Sequence, residues 1–167
     1  MALTKIQGSG ISGITISANN EINMTSQPAF CATLSGHSTN AIPTSGVLTV
    51  PYDSERYDQN GDYNTSTYYF TAPVDGRYLL TYTIYLFNHL DTDSSYYYVS
   101  IDTSNRDYDI AVESSSFGSD ITLYNFTGSV IADMDASDTA RIYIQQSGGT
   151  QQTDISSTSS FSGALIC

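Results

Sequence analysis

Residues 77–87, Arg-Tyr-Leu-Leu-Thr-Tyr-Thr-Ile-Tyr-Leu-Phe, constrain the fold more than any other part of the chain. A β-strand sends successive side chains to opposite faces. One face of this run carries Tyr78, Leu80, Tyr82, Ile84 and Leu86; the other carries Leu79, Thr81, Thr83, Tyr85 and Phe87. Neither holds a charge beyond Arg77 at the edge. A strand without a polar face is buried on both sides. In a two-sheet sandwich one side packs the core and the other needs a partner, so the run predicts a subunit interface as well as a strand.

Around it, short strand-like runs alternate with turn clusters in the pattern of a sandwich. Strands are expected at 29–34, 46–50, 68–71, 96–102, 108–113, 121–132, 140–146 and 160–166. Asn60-Gly61 is the strongest hairpin signal, and the polar stretch from Gly148 to Ser160 reads as a long mobile loop. No stretch holds apolar residues at helical spacing without equally good alternation. Composition agrees: Ser and Thr exceed a quarter of the chain, 14 residues are Tyr, and only 13% are charged. Helix surfaces favour the opposite mixture. The fold class is all-β, and 167 residues suit one domain with its own core.

Residues 1–27 form an extended arm ahead of a domain spanning 28–167. Isoleucines at 6, 11, 14, 16 and 22 stand among small residues, with glycines at 8, 10 and 13, and one short strand is expected at 14–18. The arm is too apolar for a solvated tail, yet the glycines oppose a self-sufficient element. It should order against another surface, by strand addition through Ile11, Ile14 and Ile16.

Several function classes fall away. The net charge is −12, with five basic residues and no basic cluster, so nucleic acid and anionic membranes are not expected partners. Neither a spanning segment nor a signal peptide is legible. Gly8-Ser9-Gly10-Ile11-Ser12-Gly13 has dinucleotide-loop spacing, but a β-like Ile14-Thr15-Ile16 follows where a helix is required. The two histidines, His37 and His89, form no catalytic or metal-binding motif, and His89 falls in a polar turn at 88–95. An enzyme is not expected, nor is an organic cofactor. Among the acidic clusters, Asp133, Asp135 and Asp138 are the best candidates for a calcium loop; otherwise they are turn residues.

Four segments resemble the complement C1q and tumour necrosis factor superfamily, in that family's order. They are Pro28-Ala29-Phe30-Cys31-Ala32; Tyr63-Asn64 followed by Phe70-Thr71-Ala72-Pro73-Val74-Asp75-Gly76-Arg77-Tyr78; residues 129–138, with Ser137 where the family has glycine; and Ser160-Phe161-Ser162-Gly163-Ala164-Leu165. The resemblance implies a ten-stranded antiparallel jelly roll assembled as a homotrimer. Its interface is then expected to draw on Leu79, Thr83, Tyr85, Phe87 and Tyr143. In that family the first and last strands are antiparallel neighbours. With Phe30 and Leu34 in the core, Cys31 faces away; with Phe161 and Leu165 in the core, Cys167 faces inward, so no disulfide is expected.

No collagen-like stalk precedes the domain. The opening Met1-Ala-Leu-Thr-Lys-Ile-Gln-Gly-Ser-Gly is instead similar to the starts of tailed-phage structural proteins. The expectation is a non-enzymatic trimeric virion protein, a capsid decoration or fibre tip, made in host cytoplasm and bound to a major capsid or tail protein. The alternative is a C1q-like module recognising a receptor or glycan.

Overall fold

The computed structural model describes residues 14–19 and 21–167. In chain order the strands are β1 (Ile14–Ile16), β2 (Ile22–Met24), β3 (Ala29–Thr33), β4 (Ser38–Ile42), β5 (Ser45–Thr49), β6 (Ser54–Asp58), β7 (Tyr63–Asn64) and β8 (Tyr69–Thr71). There follow β9 (Gly76–Leu90), β10 (Ser94–Thr103), β11 (Asp107–Val112), β12 (Ile121–Met134), β13 (Thr139–Gly148), β14 (Thr153–Ile155) and β15 (Ser160–Leu165). One sheet has seven strands in the order β4-β14-β9-β15-β3-β6, with β12 also paired to β9. The other has six, β11-β10-β13-β8-β7, with β5 also on β13. The two make an antiparallel jelly-roll sandwich. The expected ten strands are cut into more pieces, several of only two or three residues.

The doubly apolar run lies inside β9. Strand β12 pairs along one edge from Gly76 to Leu90, while β15 and β14 share the other, so β9 is internal to its sheet. Tyr78, Leu80, Tyr82, Ile84 and Leu86 face the core, all but fully buried. The family-like segments supply the heart of that core. Phe30 stacks on Tyr63 and Phe70, with ring centroids 5.1 and 4.7 Å away, and meets Phe161 edge-on at 4.9 Å. Gly163 makes this possible: a Cβ there would stand 2.7 Å from the Phe30 ring and 2.8 Å from Leu80.

Five differences from the sequence expectation have identifiable causes. Asn60-Gly61 makes a turn, with Gly61 at φ +77°. It joins β6 of one sheet to β7 of the other, so it crosses the sandwich instead of closing a hairpin. The Asp58 carboxylate holds it by accepting bonds from the backbone N–H groups of Gly61, Asp62 and Tyr63. The polar 148–160 stretch contains β14, whose three residues are buried. Strand β9 runs on through the expected turn to Leu90, because buried Asp91 gives the chain a polar anchor. Its carboxylate accepts bonds from the N–H groups of Asp93, Thr150 and Gln151 at 2.7–2.9 Å. The described part of the arm is a β1–β2 hairpin with Ile14 opposite Met24, not a single strand. Cys167, expected to face inward, lies exposed beyond β15, while Cys31 sits opposite Ser162; both thiols are free.

Ser137 occupies its turn at φ +79°, the left-handed region where a side chain is strained. Its N–H donates to the Ala72 carbonyl at 2.7 Å. The turn joins β12 to β13 and so carries the chain from one sheet to the other.

Candidate functional site

The outward face of the seven-stranded sheet is assembled from β9, β12, β15, β3 and β6. Register places Ile131 beside Leu79 and Ala164, Ser129 beside Thr81 and Ser162, Thr127 beside Thr83 and Ser160, and Leu123 beside Phe87. Along its centre lie Ser, Thr, Ala and large apolar groups; charge stands at its margins, with Arg77 opposite Asp133 at one end, Asp154 beside Phe87 at the other, and Glu55 and Arg56 exposed on β6. Leu79, Leu123 and Ile131 are 41%, 54% and 58% exposed. Thr83, Tyr85 and Phe87 are half-buried, and the His37 ring lies 4.9 Å from that of Phe87. The Nδ1 of His37 accepts a bond from the Ser157 N–H, so this histidine is held as a structural contact.

Tyr143 is not part of that face. In β13 the alternation buries Ala140, Ile142, Ile144 and Gln146 and turns Arg141, Tyr143 and Gln145 outward. Because β13 pairs with β10 and β5, that outward side belongs to the six-stranded sheet. Leu79, Thr83, Tyr85 and Phe87 are therefore brought together, and Tyr143 is separated from them by the thickness of the sandwich. Alternation tells which residues of one strand share a face but not which sheet the strand joins.

The face around Tyr143 has a different chemistry. Its ring stacks with Tyr98, centroids 6.0 Å apart. The Arg141 guanidinium lies 5.2 Å from the Tyr69 centroid and 5.9 Å from that of Tyr143. Its Nε donates to Asp102 at 2.6 Å and its terminal nitrogen to the Thr49 hydroxyl at 3.1 Å. On the next strand Asp107 stands opposite Asp102, and Asp109 opposite Ser100. The Asp107 carboxyl is pushed up from its ordinary value by partial burial and by the adjacent Asp102 and Asp109, with Arg141 opposing. Tyr98 is also pushed up, chiefly by its hydrogen bond to Asp109. Sequence reasoning missed this group because its members meet only through strand pairing; the outward Tyr and Asp positions of β10 and β11 were its available signal.

The calcium expectation at Asp133, Asp135 and Asp138 meets a different arrangement. Asp133 pairs with Arg106 at 3.0 Å. The Asp138 carboxylate accepts bonds from the Ser104 hydroxyl, the Asn105 amide and the Asp135 N–H. These bonds hold its carboxyl below the ordinary carboxylate range. Among the described residues, no three carboxylate, histidine or cysteine groups converge to hold a metal. Asp135 and Asp138 serve the turn, and Asp133 lies in the last residues of β12.

Of the arm residues, Ile11 lies outside the described residues, as does the glycine-rich 8–13 segment. Ile14 and Ile16 are exposed on the hairpin. Ile14 and Met24 border an apolar groove of about 610 Å³, shared with Val74, Leu165 and Ile166 at the base of the sandwich. The hairpin is tied to that base by the Gln59 amide, which donates to the Met24 and Gln27 carbonyls at 2.9 Å.

The sequence profile of the C1q domain matches residues 29–166. The chain belongs to the C1q-domain family. Solved structures share the fold. The globular domain of zebrafish complement 1qA is 16% identical with a TM-score of 0.60, covering 84% of this chain and 98% of that one. Murine APRIL is 10% identical with a TM-score of 0.56, covering 84% of this chain and 99% of that one. The vertex protein P5 of PRD1 is 16% identical with a TM-score of 0.58, covering 96% of this chain and 86% of that one. No curated protein matches the sequence. C1q and TNF-like domains are typically non-enzymatic recognition modules. In this C1q domain the family-like residues Phe30, Phe70, Tyr78, Phe161 and Gly163 are core residues, so the match reports the fold while any site lies on the outward faces.

Proposed function

We propose that the protein is a homotrimeric structural component of a virion surface, without enzymatic activity, in which the apolar centre of the seven-stranded sheet's outward face packs against its copies. The observation that carries this reading is that face itself: Leu79, Leu123 and Ile131 stand exposed on a surface whose centre is Ser, Thr, Ala and apolar groups, with charge only at its margins. Large exposed apolar patches mark interaction surfaces, and identical copies meet by closed symmetry. The likeness to the PRD1 vertex protein supports a viral setting and extends over 96% of the chain. The β1–β2 hairpin and the residues before it serve as the attachment element toward a capsid or tail protein, with Ile11, Ile14 and Ile16 as contacts. Assembly takes place in host cytoplasm, and neither nucleic acid nor membrane is a partner.

Light scattering on the purified chain tests the assembly: a mass three times 18.1 kDa is expected, and a monomer at micromolar concentration refutes it. Deleting residues 2–27 should leave a folded trimer that no longer binds its particle; unchanged decoration ends the attachment role. A recognition module for a receptor or glycan is the second reading, favoured by the tyrosine-rich face around Tyr98 and Tyr143 on the other sheet.

A further inference from the structure

We propose that the outer edge of the six-stranded sheet, at Tyr98, Ser100, Asp107 and Asp109, docks a cationic side chain, an arginine or lysine presented by a partner protein. The face already demonstrates this chemistry once. Arg141 is held by the Asp102 carboxylate and lies beside two tyrosine rings, Tyr69 and Tyr143, and cations favour such aromatic faces. One strand toward the edge the same elements recur. Tyr98 stacks on Tyr143 and bonds to Asp109, with Asp107 nearby. Among the described residues, neither Asp107 nor Asp109 has an ion pair of its own.

The one guanidinium is held by Asp102, while Asp107 and Asp109 stand beside it on the neighbouring strand without a cation of their own among the described residues. The like charges of Asp102 and Asp109 act on Asp107 and Arg141 only partly offsets them, so an added cation relieves a repulsion built into the strand register. A second observation falls at the same point. Ser100 is on the outward side of β10, between Tyr98 and Asp102 and opposite Tyr143 and Asp109. It is fully buried, and its hydroxyl has no hydrogen-bond partner. Buried hydroxyls are nearly always bonded, and a guanidinium or ammonium donor would complete this one once the side chains that cover it give way. Asp107 and Asp109 are exposed on β11, the edge strand. The site rests on neither the trimer nor the particle, because it lies across the sandwich from the outward face of the seven-stranded sheet.

The test is titration of the intact protein, followed by amide-resolved NMR, with the capped tripeptide Ac-Gly-Arg-Gly-NH2 and its glutamine counterpart as neutral control. The arginine peptide should shift Tyr98, Ser100, Asp107, Asp109 and Tyr143. The affinity should fall about tenfold in Asp107→Asn/Asp109→Asn, as expected for loss of charge-assisted bonds. It should also weaken as salt is raised, and survive in Asp133→Asn, whose carboxylate lies elsewhere. Ser100→Ala should weaken binding while leaving the fold intact. Equal shifts with the glutamine peptide, or an affinity indifferent to the double substitution, overturn the proposal. So does a response of these residues to N-acetylglucosamine but not to arginine, which would make the face a sugar platform.

Discussion

The two sheets present outward faces that differ in kind. That of the seven-stranded sheet has Ser, Thr and exposed Leu79, Leu123 and Ile131 along its centre, with its charges, Arg77 and Asp133 among them, held to the margins. That of the six-stranded sheet has stacked tyrosines, one guanidinium and three carboxylates, and it repels its own likeness. Both sheets cover the same core with the same alternation, so the difference arises entirely from the outward positions. A sandwich can thus devote one side to association with copies and leave the other to solvent or to partners of opposite charge.

The strongest way to break this comparison is to exchange the chemistry of the faces. Leu79→Glu/Ile131→Glu puts charges where copies are proposed to meet, and leaving such a charge buried and unpaired costs about 3–5 kcal/mol. Light scattering should then report a monomer that retains its β circular dichroism. Tyr143→Glu, on the other face, should leave the mass unchanged. If Tyr143→Glu dissociates the assembly and the double substitution does not, the faces have been assigned the wrong way round.

A smaller effect is expected where the sheets are tied together. Gly149 lies at φ +101°, and a Cβ there would stand 2.4 Å from Asp91 Oδ2. Gly149→Ala therefore strains the backbone and disturbs the buried Asp91 bonds, at a cost of about 2–3 kcal/mol. Thermal unfolding should show it as a clear loss of Tm. Ser137→Gly, in the turn between β12 and β13, should act in the opposite direction, adding roughly 0.5–1 kcal/mol by removing a side chain from a left-handed position.

The finest contrast is in pH. Asp107 on the six-stranded face has its carboxyl raised above 3.8, so the folded state holds the proton more tightly than the unfolded chain. Its contribution favours folding at acid pH and is lost as pH rises from 3.8 through the raised value. Asp138 in the sheet-joining turn has its carboxyl lowered, so its contribution is present above 3.8 and is lost as pH falls through the lowered value. Asp107→Asn should raise stability slightly at pH 7 and flatten the first slope, while Asp138→Asn should lower stability and flatten the second. Urea unfolding across pH 2–7 reads both, and identical profiles for the two variants would show that the carboxylates do not differ as described.

Much of this was legible in the residues alone. Alternation in 77–87 identified a strand with two apolar sides, and the outward set Leu79, Thr83, Tyr85 and Phe87 does share one face. The aromatic positions Phe30, Phe70, Tyr78 and Phe161 announced the core, and the family resemblance singled out Ser137 as a departure from glycine in a turn. These are local properties, decided by pleat geometry and by the steric cost of a Cβ. What tertiary structure alone decided was the identity of the neighbours. Tyr143 parted from Leu79 because β13 joined β10 and β5; Asn60-Gly61 crossed between sheets; Thr153–Ile155 became a buried strand by pairing with β4 and β9. Strand pairing is made by backbone hydrogen bonds available to every residue type, between segments distant in the chain. The choice of partner therefore depends on how the whole core closes, and no single segment carries that information in its side chains.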